Sequence, residues 1–322
     1  MASYAMCHMK LDMMLHEMDY VPTRKPPRLS VYLTNSLEEG EKATYDLPFA
    51  NFLSKEANAA NDVKRDKPIM CIIGNPPYSV SSSNKGEFIE SLLAEYKNNL
   101  NERNIQPLSD DYVKFIRLSQ YMIDKNGEGV LAFITNNSFL DGRIHREMRK
   151  SLKSTFDSIS IVDLHGSTKK LEVSPSGEND QNVFDIMQGV SIVIATKVKS
   201  KGIKDIEKCT LFHQDLWGSR KAKYKQLYST SMASKNFLPI QSIRPYHYFV
   251  PKDFKHKERY EVGFTLPSLF PENACGMVTA RDKLLVKFRK SEADDVLSDF
   301  RNLTVDELRL SLIHISEPTR PY

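Results

Sequence analysis

The residues best suited to chemistry are Asn75, Pro76, Pro77 and Tyr78, which follow directly on the apolar run Pro68 to Gly74. An amine conjugated to an aromatic ring is a poor nucleophile, because its lone pair is delocalised. Two neutral acceptors on its N–H groups would draw the nitrogen toward sp³ and aim the lone pair at a methyl donor. The side-chain oxygen of Asn75 and the backbone carbonyl of Pro76 offer that pair. Proline fixes φ and so holds the second acceptor still, and the ring of Tyr78 can stack on a flat substrate. This chemistry needs neither an acidic side chain nor a metal, and no metal site is expected. A plainer reading of the same letters is a strand that leaves its sheet through a stiff loop, since proline cannot continue a central ladder.

Either reading requires a strand to carry the loop, and the flanking patterns supply a sheet. "PIMCIIG" (68–74) is a short continuous apolar run of the kind found in buried parallel strands. "GVLAFITN" (129–136), "SISIVDLHG" (158–166) and "QGVSIVIATKV" (188–198) read as further strands, and "RLSVYLTN" (28–35) alternates like one. Helical spacing is expected over 2–18, 85–100, 111–123 and 143–156. Strands alternating with helices predict an α/β fold with a doubly wound, Rossmann-like sheet, in which ligands sit beyond the carboxyl ends of the strands. Asn75 and Asn136 both fall at such ends. The polar, turn-rich residues 168–182 read as a surface loop. After about residue 236 the pattern breaks into short strands, prolines and aromatics. The expected domains are therefore 1–236 and 237–309. "LSLIHISEPTR" (310–320) matches the translation of a transposase-type sequencing adapter. Residues 310–322 are accordingly expected to be a read-through tail, and His314 is no ligand candidate.

With 322 residues, 40% of them apolar and 27% charged, the chain has enough apolar sequence for a sizeable core. No run approaches the roughly 18–20 apolar residues of a membrane span, and the start lacks the charged segment and cleavage site of a signal peptide. No membrane partner is expected, and the chain is placed in the cytoplasm. Cys7, Cys71, Cys209 and Cys275 are far apart and form no CxxC pair, so packed, reduced thiols are expected. The net charge of +4 says little alone, but between Trp217 and Arg259 ten Lys or Arg face two acids. Tyr224, Tyr228, Phe237, Tyr246, Tyr248, Phe249 and Phe254 are interleaved with them. Such a mixture suits a phosphate backbone and exposed bases, or a solvated segment with core aromatics.

Placed after a buried strand, "NPPY" resembles motif IV of the S-adenosylmethionine-dependent amino methyltransferases, chiefly the DNA adenine-N6 enzymes. Enzymes acting on a glutamine amide and some RNA methyltransferases carry the same loop. "DDYVKFIRLSQYMI", "GVLAFITNNSFLDG", "MRKSLKSTFDSISIVDLHGSTKK" and "NVFDIMQGVSIVIATK" look, in this order, like the methyltransferase region of Type ISP and Type IIG restriction-modification enzymes. "PYHYFVPKDF" through "NACGMVTARDKLL" resembles the start of their mixed α/β target-recognition domain.

The resemblance implies a catalytic loop of Asn75, Pro76, Pro77 and Tyr78 that acts on an adenine flipped out of double-stranded DNA. Phe184 of "NVFD" falls where the family's motif VIII aromatic packs on that base; it could equally be a core phenylalanine. Asn35 falls where relatives carry an acidic residue near the cofactor's adenine, and the amide weakens that assignment. Asp111 and Lys114 would line the site or lie on a solvated helix face. His165 would be structural, and Arg281 and Asp282 would contact DNA or pair with each other. The glycine-containing motif I and the acidic residue that holds the cofactor ribose are missing, because the sequence starts at the helix that should follow them. The expectation is a gene fragment whose parent has an upstream nuclease and ATPase, with ATP and Mg²⁺ entering only through those domains. The alternatives are a glutamine-amide or RNA amino methyltransferase, or a catalytically inactive DNA-binding remnant.

Overall fold

The computed structural model describes residues 2–21, 28–39, 50–79, 82–199, 209–231, 236–272 and 286–311. The chain divides into two compact units, Met1–Lys252 and Asp253–Tyr322. In the first, six strands form one mixed sheet: β1 (Cys71–Gly74), β2 (Gly129–Asn136), β3 (Ser158–Asp163), β4 (Val190–Lys197), β5 (Thr210–Asp215) and β6 (Leu238–Pro239). Their order is β1-β2-β4-β3-β5-β6. β1 runs parallel to β2 and β3 parallel to β5, while β4 lies antiparallel between β2 and β3.

Alternation along the strands sends side chains to two faces. Leu131, Phe133, Ile159, Ile161, Val193, Ala195 and Leu211 join Leu93, Tyr96, Tyr112, Ile116, Met148 and Leu152 in the main core. The last six come from three helices, α3 (Glu87–Lys97), α4 (Asp111–Asn126) and α6 (Arg146–Thr155), the short α5 (Ser138–Asp141) preceding α6. The opposite face contributes Val162 and Val190, joined by Leu164, Val183 and Leu216, and partly buried Phe184 and Leu227 pack there. Leu227 belongs to α7 (Arg220–Ser229). The sheet is thus covered on both faces, as a doubly wound α/β fold requires. α4 starts where Asp110 accepts a bond from the backbone N–H of Tyr112, and it stops at Gly127, whose φ of 86° suits glycine.

Several expectations need correction. β1 is parallel, as read, but not buried: Cys71, Ile73 and Gly74 are exposed, with Ile73 at 80%. It pairs only with β2 among the described residues, and no described strand lies on its other flank. Residues 28–35 form no strand. Arg28 turns back to donate to the carbonyl of Val31 at 2.8 Å and to Glu56 at 2.6 Å, a local arrangement that replaces a ladder. α1 (Ala2–Glu17) forms where helical spacing placed it, yet its Leu11 and Met14 are exposed, as is Met18 just beyond it. The thiols of Cys7 and Cys71 are exposed rather than packed, and Cys209 is partly so; Cys275 lies outside the described residues. β6 adds a rung to β5, and Phe249 belongs to the main core, so residues 237–252 build on the first unit. α2 (Ala50–Asp66) completes that unit.

The second unit's described residues hold α8 (Lys257–Glu261), α9 (Leu266–Leu269), α10 (Lys290–Asn302) and α11 (Val305–Ser311). Arg281, Asp282 and residues 312–322 of the expected tail lie outside the described residues. No described helix is long and apolar enough to cross a membrane.

Candidate functional site

β1 ends at Gly74 and releases Asn75 to Tyr78 at the carboxyl edge of the sheet. Asn75 and Pro77 are exposed and Pro76 is buried. The Tyr78 hydroxyl donates to Asn75 Oδ1 at 3.2 Å, which fixes the amide relative to the ring. Tyr78 is half-buried and meets Tyr112 edge-on, with ring centroids 6.3 Å apart. Burial, seconded by the charge of Asp110, pushes the Tyr78 phenol up to about 12, so it stays a donor across the physiological range. The loop is tied to α4 from both sides. The backbone N–H of Ser79 donates to Asp110 Oδ1 at 2.7 Å, and that of Asp111 donates to the carbonyl of Ser79 at 3.3 Å.

Asp111 and Lys114 are buried, which overturns the solvated-face reading. Asp111 accepts from Ser82 Oγ at 2.5 Å and from Asn84 Nδ2 at 3.1 Å. The Lys114 ammonium donates to Ser82 Oγ at 3.0 Å and to the carbonyl of Asn84. Asn35 enters the same network, donating to Asn84 Oδ1 at 3.0 Å and to Glu38 at 2.9 Å. Lys64 braces that turn from α2, donating to the carbonyls of Asn35 at 2.6 Å and Glu38 at 3.1 Å.

Beside this network lies a cavity of about 610 Å³. Its walls include Ile72, Phe115 and Phe133, its polar rim Thr34, Ser36 and Lys64, and one side is Asn75, Pro76 and Pro77. The volume suits a ligand of cofactor size. Its apolar walls fit a flat adenosyl group, and its hydroxyls and ammonium fit polar ends. No carboxylate lines it among the described residues, so a partner for ribose hydroxyls of the expected kind is not supplied there.

Phe184 is not part of this network, but the topology brings it to the same edge. β2 pairs Asn136 with Val190 at the start of β4, so the segment leading into β4 lies at the end of the sheet where β1 and β2 finish. Strands are about 4.8 Å apart, so the exit of β1 and the entry of β4, with β2 between, are about 10 Å apart across the sheet; Gly74 pairs with Phe133 and Val190 with Asn136, so they are also offset by three residues, about 10 Å, along it. The Phe184 backbone N–H donates to Asn182 Oδ1 at 2.9 Å, and Asn182 Nδ2 donates to the carbonyls of Gly166, Ile186 and Gln188.

His165 sits farther along this edge, stacked on Trp217 with centroids 3.4 Å apart. Its Nε2 contacts Asp215 Oδ1 at 2.9 Å, and Glu172 and Asp163 lie within 4 Å of Nδ1. Burial alone would lower its pKa, but these carboxylates outweigh it and the value rises to about 9. Asp163, His213 and Asp215 stand close enough to share a cation. Asp215 Oδ1 is already bonded by both imidazoles, which accounts for the cluster as a hydrogen-bonded one. His165 thus links three carboxylates across β3, β5 and the 168–182 loop.

Sequence reasoning missed the role of α7. Its Arg220 and Lys223 counted toward a basic stretch facing a phosphate backbone, yet Lys223 is fully buried. Its ammonium donates to Leu164 O at 2.7 Å, to Gln181 O at 2.6 Å and to Asp180 at 2.8 Å. The serine at 219, which caps α7, was the available signal that this segment is helical.

An α/β sheet with a rigid Asn-Pro-Pro-Tyr loop at its carboxyl edge, beside a cofactor-sized cavity, defines a methyltransferase-like domain. The profile of the Eco57I restriction-modification methylase family matches residues 9–169, half of the 322 residues, and the chain belongs to that family. Among solved structures it is similar to the ATP-dependent Type ISP restriction-modification enzyme LlaBIII bound to DNA, with a TM-score of 0.66 and 23% identity over 80% of this chain. A nuclease-deletion mutant of the Type ISP enzyme LlaGI with a DNA substrate mimic gives 0.63 and 22% over 80%. The DrdV–DNA complex gives 0.54 and 22% over 79%. These likenesses establish the fold. The chain spans 18%, 24% and 27% of the lengths of those three chains. No curated protein matches it.

Proposed function

We propose that this chain carries the catalytic loop of a site-specific DNA adenine-N6 methyltransferase in a restriction-modification enzyme. The observation that supports the reading is the Asn75–Tyr78 loop, pinned to α4 through Asp110, with Asn75, Pro76 and Pro77 lining the cavity. The family, and the DNA present in its structural neighbours, support duplex DNA as the partner. An adenine flipped from the duplex places its amino group against Asn75 Oδ1 and the Pro76 carbonyl. Both accept its N–H bonds, so the nitrogen lone pair turns out of conjugation. Tyr78 stacks on one side of the base and Phe184 closes on it from the β4 entry. S-adenosylmethionine supplies the methyl group, and the residues that would hold it here are Thr34, Ser36, Asn35 and the apolar wall at Ile72 and Phe115. Lys114 and Asp111 act on the loop's surroundings, fixing Ser82 and Asn84.

The test is methyl transfer from labelled S-adenosylmethionine to unmethylated DNA, assayed in the longest open reading frame that contains this sequence. N6-methyladenine is expected as the product, and Asn75→Ala is expected to lower the rate by about 10³-fold, the size typical of losing a transition-state hydrogen-bond partner. Transfer that survives Asn75→Ala, or a product on cytosine or on a glutamine peptide, would overturn the assignment.

A further inference from the structure

The loop bearing Phe184 is gripped from outside by one helix, residue by residue. Asp180 and the carbonyl of Gln181 take Lys223. The carbonyl of Asn182 takes Arg220 Nε at 2.9 Å, and the carbonyl of Val183 takes the hydroxyl of Tyr224 at 2.9 Å. The Asp185 carboxylate takes Arg220 Nη2 at 2.6 Å. Gln181 Oε1 also accepts from the backbone N–H of Arg220 at 3.1 Å, and Asp180 from that of Gly218 at 2.8 Å. Phe184 is the one residue of 180–185 whose side chain and carbonyl enter none of these bonds; Val183 before it is held through its carbonyl, and Asp185 after it through an exposed ion pair. Its own N–H is held by Asn182. Its ring is partly buried and packs against the cluster of Val162, Leu164, Val183, Val190 and Leu216.

From this arrangement we infer that Arg220, Lys223 and Tyr224 are positioning residues: α7 holds the Phe184 ring at the height and tilt at which it meets the flipped base. The inference rests on the proposed role of Phe184 and deepens it. It also reassigns three members of the basic aromatic stretch from contacting phosphates to setting the geometry of the site. The carbonyls that accept belong to consecutive residues, so a shift of α7 by a few tenths of an ångström moves the whole turn with it. Side chains reaching a phosphate would instead point away from the loop; Arg220 Nε and the Tyr224 hydroxyl donate to its carbonyls, while Arg220 Nη2 meets the exposed Asp185 carboxylate at the surface.

The experiment uses the same full reading frame, with the target sequence mapped from its methylated product and 2-aminopurine placed at the methylated adenine. Tyr224→Phe removes one hydrogen bond from a partly exposed side chain and leaves folding intact. Arg220→Gln removes the Asp185 contact and weakens that to Asn182. Expected are a fall in kcat of about fivefold for Tyr224→Phe and tenfold or more for Arg220→Gln, in line with one or two lost bonds. The KM for DNA and the salt dependence of binding should stay at wild-type values, and the 2-aminopurine emission of the bound duplex should change. In a Phe184→Ala background, Tyr224→Phe should have no further effect. A salt slope reduced by about one for Arg220→Gln would mean a phosphate contact and overturn the inference. So would an undiminished Tyr224→Phe effect when Phe184 is absent. If Phe184→Ala itself leaves kcat and emission unchanged, the reading of Phe184 fails, and the inference with it.

Discussion

Replacing Lys223 with methionine isolates the polar part of the α7 anchor, because the unbranched methionine refills most of the aliphatic stem. The ammonium and the Asp180 carboxylate it meets at 2.8 Å are both fully buried. Without the ammonium, Asp180 keeps the backbone N–H of Gly218, but its charge is no longer compensated, and the carbonyls of Leu164 and Gln181 lose their donor. Breaking a buried pair by removing one partner costs about 3–5 kcal/mol, a large share of the roughly 5–15 kcal/mol that holds a domain folded. Asp180→Asn in the same chain removes the stranded charge while keeping an acceptor for Gly218. The double variant should therefore recover to a cost of about 1–2 kcal/mol, the scale of unmade neutral bonds. Urea denaturation followed by the sole tryptophan reads this directly, since Trp217 stacks on His165 next to the Asp180 contact at Gly218. A loss below about 1 kcal/mol for Lys223→Met, or a double variant as unstable as the sum of the two singles, would show that the pair does not anchor the loop.

Other outcomes follow from the same edge of the sheet. His165 rises from its ordinary 6.5 to about 9 in the folded chain, so its stabilising contribution is complete below 6.5 and is lost as pH climbs through 9. A drop of about 3 kcal/mol between pH 6 and 10 is expected from such a shift, read as a falling urea midpoint. His165→Gln should flatten that part of the profile, and an unchanged slope would refute the carboxylate cluster as its source. Gly166 has φ of 80°, and an added Cβ would lie 2.5 Å from the Asn182 Cα, a backbone atom that cannot step aside. Gly166→Ala should therefore cost about 2 kcal/mol or more, and should disturb the Phe184 loop in hydrogen exchange before the rest of the sheet. Exchange protection lost evenly across β2, β3 and β4 would argue against that local coupling.

What the amino-acid pattern reveals depends on whether a feature is set by the residue itself or by its neighbours. β2, β3 and β4 were legible because each carries its own apolar repeat, and α4 because its cap and its stop at Gly127 are written in its own letters. The rigidity of Asn75 to Tyr78 was legible for the same reason, since proline restricts its own backbone. The burial of β1 was not, because a continuous apolar run promises neighbours on both flanks and only one is present among the described residues. Residues 28–35 alternate like a strand, but alternation specifies faces and not a partner.

Charge is the hardest letter to read. Lys221 and Lys223 are two residues apart in one basic helix, yet one is exposed and the other has no exposed surface. A buried ammonium needs acceptors placed around it, and here they come from Leu164 at the end of β3 and from Asp180 and Gln181 before β4, some 40 to 60 positions away in sequence. No local pattern encodes that meeting. Counting basic residues measures how strongly a segment could attract a phosphate backbone, whereas the fold decides which of them are free to do so. In α7 the fold has used two cations and a tyrosine hydroxyl to hold carbonyls and carboxylates of one turn. That turn carries Phe184, six residues before β4 begins, and the bonds from α7 fall on the backbone just before it.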